Sequence, residues 1–149
     1  MSSKLHSETA IQASLQRVWD VLTDFAAYPI WNPFIPRIDG SLETGSRLDV
    51  QLQPPGGRGM RMRPTVLAAA PSQELRWLGH LGIPGLFDGE HRFQIEPLGT
   101  DQVRFVQEER FTGLLAPLVF RFIERGTRQG FEAMNQALKA RAEQSSSSR

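Results

Sequence analysis

Six runs between residues 34 and 112 have the composition of β-strands, and only turns separate them. Their limits are 34–42, 48–52, 60–69, 72–81, 87–97 and 102–112. Parallel strands need connections of about a dozen residues or more, so such short links predict consecutive antiparallel neighbours. An antiparallel sheet commonly buries one face and exposes the other, and the rest of the chain must therefore supply a cover for the buried face.

The flanking segments are predicted to supply that cover. Residues 5–12 read as a further strand, followed by a helix at 15–22 with Ser14 as its N-cap and a short helix at 25–28 that Pro29 ends. After Pro117 the pattern becomes helical as far as residue 142, which gives a helix ~38 Å long at about 1.5 Å per residue. Its predicted apolar face contains Leu118, Phe122, Gly126, Gly130, Ala133 and Ala137, widened by Val119, Ile123, Met134 and Leu138.

Length and composition exclude several classes of protein. The 149 residues fit one domain, predicted at 1–142, and a polar tail at 143–149 that we expect to be disordered. The absence of cysteine excludes disulfide scaffolds, thiolate catalysis and cysteine-based zinc sites. With 17 basic and 16 acidic residues, we expect no nucleic-acid partner. No run approaches the ~20 apolar residues of a membrane span, so we expect a cytoplasmic protein that is not an integral membrane protein.

The sequence contains no motif for a metal or a cofactor. His6, His80 and His91 fall at no metal-ligand spacing. The glycine-rich segment 54–59 lacks the Gly-Lys-Ser/Thr ending of a phosphate-binding loop and reads as a hairpin turn. No Gly-x-Ser-x-Gly motif is present for a serine nucleophile. We therefore predict no metal site and no cofactor.

Local motifs resemble those of bacterial members of the START-like, or SRPBCC, superfamily. They are Val18-Trp19-Asp-Val-Leu22, Trp31-Asn-Pro-Phe34, Leu75-Arg-Trp77, Pro84-Gly-Leu-Phe-Asp-Gly-Glu-His91 and Gln107-Glu-Glu-Arg-Phe111. The superfamily includes polyketide cyclases, lipid-transfer domains and plant pathogenesis proteins. The resemblance implies an α+β helix-grip (Bet v 1-like) fold, in which a seven-stranded antiparallel sheet wraps around the long C-terminal helix and encloses a cavity. Because fold alone does not define chemistry, function has to be argued from the residues of the cavity.

Strand alternation predicts which residues face that cavity. The parity set by Phe87, Phe93 and Ile95 brings His91 inward, and the parity of the last strand brings Gln107 and Glu109 inward. Three interpretations follow. The polar groups could orient one end of an apolar ligand, His91 and Glu109 could pair with each other across the strands, or a β-bulge could reverse the parity and expose all three.

Our leading hypothesis is a carrier or sensor of a hydrophobic small molecule, with the chain a monomer or homodimer. The alternative is an enzyme resembling polyketide cyclases and dehydratases, with Glu109 as base and His91 as its partner or acid. A protein-interaction module ranks last. Arg58, Arg61 and Arg63 are expected on a solvated surface, although Arg58 could meet an anionic head group. The candidate ligand-binding residues are Trp31, Phe34, Met60, Met62, Trp77, Leu81, Phe87, His91, Gln107, Glu109, Phe111 and Phe122.

Overall fold

The computed structural model describes residues 3–144. In chain order the elements are β1 (Ser3–Ile11), α1 (Leu15–Thr23), a 3₁₀ helix (Phe25–Ala27), α2 (Tyr28–Trp31), β2 (Arg37–Asp39), β3 (Asp49–Leu52), β4 (Met60–Met62), β5 (Thr65–Ala70), β6 (Glu74–His80), β7 (Asp88–Gly99), β8 (Gln102–Thr112) and α3 (Ala116–Gln144). The predicted α+β architecture, with antiparallel strands and one long C-terminal helix, is confirmed. No helix within this range is long and apolar enough to cross a membrane.

The strands form two antiparallel sheets, so the prediction of a single seven-stranded sheet is wrong. One sheet has the order β1-β8-β7-β6-β5 and the other has the order β2-β3-β4. The predicted strand 60–69 is divided at Pro64, which has no N–H to donate to a neighbouring strand. Hydrogen bonds from Leu48 N to the Pro64 carbonyl (2.9 Å) and from Val66 N to the Ser46 carbonyl (2.8 Å) connect the two sheets at that point.

The entry to the sheet differs from the prediction around Pro29. The Ser14 hydroxyl accepts a hydrogen bond from Arg17 N (3.0 Å) and caps α1, as the sequence predicts. Pro29, however, lies in the first turn of α2 and does not end a helix. A proline is tolerated there because the N–H groups of a first turn have no intrahelical acceptor to lose.

Helix α3 buries part of the predicted face, at Gly130, Met134 and Leu138, but not its first two members, Leu118 and Phe122. Its buried residues are Ala116, Gly130, Phe131, Met134, Asn135, Leu138 and Ala142. Leu118 and Phe122 are exposed, because a strict four-residue repeat drifts by about 40° per step around a helix of about 3.6 residues per turn. Counting back from buried Gly130, the drift reaches roughly 80° at Phe122 and roughly 120° at Leu118.

The C-terminal helix ends later in the chain than predicted. Helix α3 continues to Gln144, so residues 143 and 144 are helical and do not belong to the predicted tail. The remainder of that tail, 145–149, lies outside the described residues. The assignment of residues 1–142 to a single domain stays a prediction.

Candidate functional site

A cavity of about 110 Å³ lies between the concave face of the larger sheet, β4 and the first half of α3. Its exposed apolar lining residues, Met60 and Leu81, mark its opening to solvent, where Arg61 and His80 are also exposed. We call residues 82–86 the lip. The lip and the following Phe87 lead from that opening into β7. The predicted candidates that line the cavity are Phe34, Met60, Met62, Trp77, Leu81, Phe87, His91, Glu109 and Phe111.

Three predicted candidates lie outside the cavity lining. Trp31 packs edge-on against buried Tyr28, with ring centroids 5.1 Å apart, and so belongs to the core beside α2. Gln107 is fully buried behind His91, where its amide is held by other groups. Phe122 is 82% exposed, because α3 presents Val119 and Ile123 to the cavity in its place.

The structure adds lining residues that were not among the ligand-binding candidates, although Val119 and Ile123 belong to the apolar helix face that the sequence predicts. The added residues are Leu52, Arg61, Gly79, His80, Gly89, Val119, Ile123 and Thr127. Gly79 and Gly89 occupy inward positions on β6 and β7, and the alternation pattern offers no apolar side chain there to reveal them. The two glycines leave space for longer neighbours, since a Cβ on Gly89 would lie 2.5 Å from Glu109 Oε2.

Cross-strand register brings the polar residues of the cavity together. His91 on β7 is directly opposite Glu109 on β8 and opposite Trp77 on β6. His91 Nδ1 lies 3.5 Å from Glu109 Oε1; the His91 side chain is buried, at 4% exposed, and that of Glu109 is mostly buried, at 12% exposed. The interpretation in which a bulge exposes these residues is therefore wrong, whereas the cross-strand pair of His91 and Glu109 is present.

The second ring nitrogen of His91 is held by a chain of amides. Gln107 Oε1 lies 2.9 Å from His91 Nε2, while Gln107 Nε2 donates to the Phe131 carbonyl (3.3 Å) and to Asn135 Oδ1 (2.8 Å). Asn135 Nδ2 in turn donates to Ser7 Oγ at 3.0 Å. Because a backbone carbonyl can only accept, the NH₂ group of Gln107 must face Phe131 and its oxygen must face His91.

This arrangement assigns the tautomer of His91. Since Gln107 Oε1 accepts, Nε2 of His91 carries a hydrogen and Nδ1 is the nitrogen that can gain or lose a proton. Nδ1 is also the nitrogen next to Glu109. Strand alternation had brought Gln107 to the correct face, but it had not indicated Asn135. The sequence pattern that could have indicated Asn135 is its spacing of four residues from Phe131 and three residues from Leu138, both of which are buried positions of α3.

Aromatic rings surround the His91 imidazole. It stacks on Phe93, with centroids 4.2 Å apart and planes at 20°, and it also contacts Phe131 at 4.9 Å. Trp77 lies at 5.5 Å on the neighbouring strand. These contacts fix the ring plane and exclude water from it, so the polar groups of His91 and Glu109 project into a largely apolar space.

A second histidine–carboxylate pair lies at the mouth of the cavity. His80 Nδ1 lies 2.7 Å from Asp88 Oδ1. The Asp88 carboxylate also accepts from Gly85 N at 3.1–3.2 Å. The hydrogen bond with His80, followed by that from Gly85, lowers the pKa of Asp88 below its ordinary value. Asp88 therefore tethers the lip in its ionised form.

Taken together, the sheet curved against a long helix, with an apolar cavity between them, defines a helix-grip protein. The model of the family described as "Polyketide cyclase / dehydrase and lipid transport" matches residues 3–143. The chain belongs to that family. A search of curated proteins found no match. Within residues 3–144, no cluster of three or more His, Cys, Asp or Glu side chains is placed to hold a metal ion.

Solved structures share the fold along nearly the whole chain. The Zhui aromatase/cyclase from Streptomyces sp. R1128 has a TM-score of 0.76 at 16% identity, with 99% of this chain and 98% of that chain covered. A norcoclaurine synthase variant from Thalictrum flavum has a TM-score of 0.72 at 16% identity, with 95% and 94% covered. A START superfamily protein from Mycobacterium smegmatis has a TM-score of 0.70 at 24% identity, with 95% and 97% covered.

Proposed function

We propose that the chain binds a hydrophobic small molecule with one polar end, which Glu109 and His91 contact inside the cavity. The observation that carries the proposal is a mostly buried polar pair on the floor of a cavity whose lining is largely apolar. Small-molecule sites commonly have this composition, with few polar groups that orient a ligand within apolar walls. The role is that of a carrier or sensor.

The size of the cavity limits what it holds in this conformation. A cavity of about 150 Å³ accepts one benzene ring, and sites for larger ligands measure roughly 300–1,000 Å³. The cavity here measures about 110 Å³. A lipid or a multi-ring polyketide would therefore place its polar end against Glu109 and extend outward between Met60 and Leu81. The thioether of Met60 can adapt to different ligand shapes.

A second candidate function is acid–base catalysis on a polyketide-like substrate, and the His91–Glu109 geometry favours it specifically. Glu109, as the carboxylate, would remove a proton from the carbon next to a carbonyl and become the neutral acid. His91, starting as the doubly protonated imidazolium, would give its Nδ1 proton to the oxygen that leaves as water or to the newly formed alkoxide, and it would end as the neutral form with hydrogen on Nε2. Such positioned proton transfers typically contribute about 10²–10⁴-fold to a rate. The aromatase/cyclase among the structural neighbours has the same fold, and the family description includes cyclases and dehydrases.

Native mass spectrometry of the protein as purified tests the binding role first. A stoichiometric apolar adduct, identified after extraction, would support it, and the same spectrum would report whether the chain is a monomer or homodimer. Delipidated protein that binds no hydrophobic fluorescent probe would contradict it.

A matched pair of variants then separates carrier from enzyme. Glu109→Gln removes the carboxylate inside the cavity, whereas Glu108→Gln makes the same change on the outer face of β8, where Glu108 pairs with Lys4. For a carrier, we expect Glu109→Gln alone to weaken probe binding. For an enzyme assayed on a poly-β-ketone thioester, we expect it to lower turnover by about 10²-fold or more while binding stays nearly unchanged.

A further inference from the structure

Bulky apolar side chains are exposed around the mouth of the cavity. We call Leu81, Ile83, Leu114, Leu118 and Phe122 the mouth patch. Each is at least half exposed, and Leu114 and Phe122 reach 80% and 82%. Single exposed apolar residues are ordinary, but a group of them beside a ligand cavity marks an interaction surface. The sheet therefore leaves part of the predicted apolar face of α3 uncovered.

Backbone contacts make the patch continuous. Leu114 N donates to the Gly85 carbonyl (2.9 Å) and Leu115 N donates to the Leu86 carbonyl (2.8 Å), which fastens the lip to the start of α3. Leu118 and Phe122 follow on successive turns of that helix. Leu81, at the other end of the lip, lines the cavity itself. The patch thus borders the opening of the cavity on the side of the lip and α3.

Basic groups lie beside the patch. Arg121 and Arg125 alternate with Leu118 and Phe122 at three- and four-residue spacings, which places all four on neighbouring positions of one helix surface. Within residues 3–144, neither arginine contacts a carboxylate. The one acidic residue between positions 116 and 128, Glu124, is paired with Arg128 at 3.2 Å.

The turn at residues 54–59, which carries the exposed Arg58, also packs against α3. A Cβ on Gly126 of α3 would lie 3.6 Å from Pro54 Cβ, so this turn packs directly beside the helix. Arg58 projects from the turn and, among the described residues, forms no ion pair. The acidic group on the opposite side of the mouth, Asp88, is engaged by His80. The surroundings of the patch are therefore basic.

We propose that the mouth patch docks on an anionic lipid bilayer, with its apolar side chains in the interface and Arg121, Arg125 and Arg58 against lipid phosphates. Apolar residues alternating with arginines on an exposed helix surface are the pattern of interfacial helices. Anionic leaflets attract such basic groups. A second copy of this chain fits less well, because two basic surroundings would repel each other. The proposal goes beyond the function above, since it concerns where the mouth is placed and not what the cavity holds.

The test is co-sedimentation with phosphatidylcholine vesicles that contain or lack phosphatidylglycerol. We expect the full chain to bind the anionic vesicles, and added salt to weaken that binding. Leu118→Ser combined with Phe122→Ser should lower the partition coefficient by about tenfold, as should Arg121→Gln combined with Arg125→Gln. Controls are Ile30→Ser, which changes an apolar side chain that is 76% exposed on α2, and Arg110→Gln on β8. All the changed residues lie on the surface, so thermal unfolding should be nearly unaltered.

Other outcomes would overturn the proposal. Absence of binding to anionic vesicles would do so, as would equal loss of binding in the control variants. Dimerisation in analytical ultracentrifugation that the Leu118 and Phe122 changes abolish, without vesicle binding, would identify a second copy as the occupant. Because neither Leu118 nor Phe122 lines the cavity, probe binding should persist in that double variant. Probe binding therefore tests the ligand-binding role, and vesicle co-sedimentation tests membrane docking, so that failure of one proposal can be distinguished from failure of the other.

Discussion

His91 Nε2 lies 2.9 Å from Gln107 Oε1, and the amide nitrogen of Gln107 is already engaged by Phe131 and Asn135. The consequence is that His91 keeps a hydrogen on Nε2 and can exchange a proton only through Nδ1. Gln107 and Asn135 therefore position the site without lining the cavity. Residues on β1, β7, β8 and α3 contribute to this one arrangement, which ties the chemistry of the cavity to the packing of the whole domain.

Gln107→Leu should allow His91 to populate both of its neutral tautomers. The change removes the acceptor for His91 Nε2 and the donor to Asn135, so buried polar groups lose partners at a cost of about 1–3 kcal/mol each. We expect the ¹⁵N chemical shifts of His91 to move towards a mixture of tautomers and the free energy of unfolding to fall. Gln94→Leu, on the outward face of β7, is the control. Unchanged shifts in Gln107→Leu would show that the amide does not select the tautomer.

Gly89→Ala should separate Glu109 from His91 at little cost in stability. The new Cβ would lie 2.5 Å from Glu109 Oε2, and the end of a flexible side chain can move away. We expect weaker binding of a hydrophobic probe and an unfolding free energy altered by less than about 1 kcal/mol. Gly99→Ala, where no atom lies within 4 Å, is the matched control. Identical probe binding in both variants would count against a role for Glu109 in binding.

Gly130→Ala and Gly126→Ala should have opposite effects on stability. Alanine favours a helix interior by about 1 kcal/mol over glycine, and Gly126 has only ordinary contacts, so Gly126→Ala should stabilise. A Cβ on Gly130 would collide with the buried ring of Phe34. Overpacking of this kind typically costs about 1–3 kcal/mol, so Gly130→Ala should destabilise. Denaturant unfolding of the two variants compares them directly, and equal stabilisation would refute the close contact.

His6 should make a pH-dependent contribution to stability. Hydrogen bonds with Glu8 and then Glu108 raise its pKa above the ordinary value of 6.5. A raised folded-state pKa stabilises fully below the unfolded pKa, and the stabilisation is lost as pH rises through the folded pKa. His6→Gln should thus destabilise at about pH 5.5 by about 0.2–1 kcal/mol, the range for exposed ion pairs, and hardly at all at about pH 9. An NMR titration midpoint below 6.5 would contradict the sign.

Much of the architecture followed from repeating local patterns. The alternation of apolar residues on 87–97 and 102–112 predicted that His91, Gln107 and Glu109 face inward. His91 and Gln107 are buried, and Glu109 is partly buried and lines the cavity. The strand order along the chain and the long terminal helix were predicted for the same reason, since each signal recurs over many residues. The family resemblance then indicated how these elements assemble. The cytoplasmic location, the oligomeric state and the roles of the site residues stay predictions.

Backbone geometry and composition act locally, so most of the elements, the inward parity of the strands and the absence of thiol chemistry could be read from the residues. The rotation of α3 and the contacts among the polar groups emerged only when the elements packed together. Those outcomes depend on contacts between residues far apart in the chain, such as Ser7 with Asn135 and Phe34 with Gly130. Sequence periodicity defines the buried face of a helix only to within tens of degrees of rotation about its axis. The rotation that α3 adopts against the sheet buries Asn135 and leaves Phe122 in solvent.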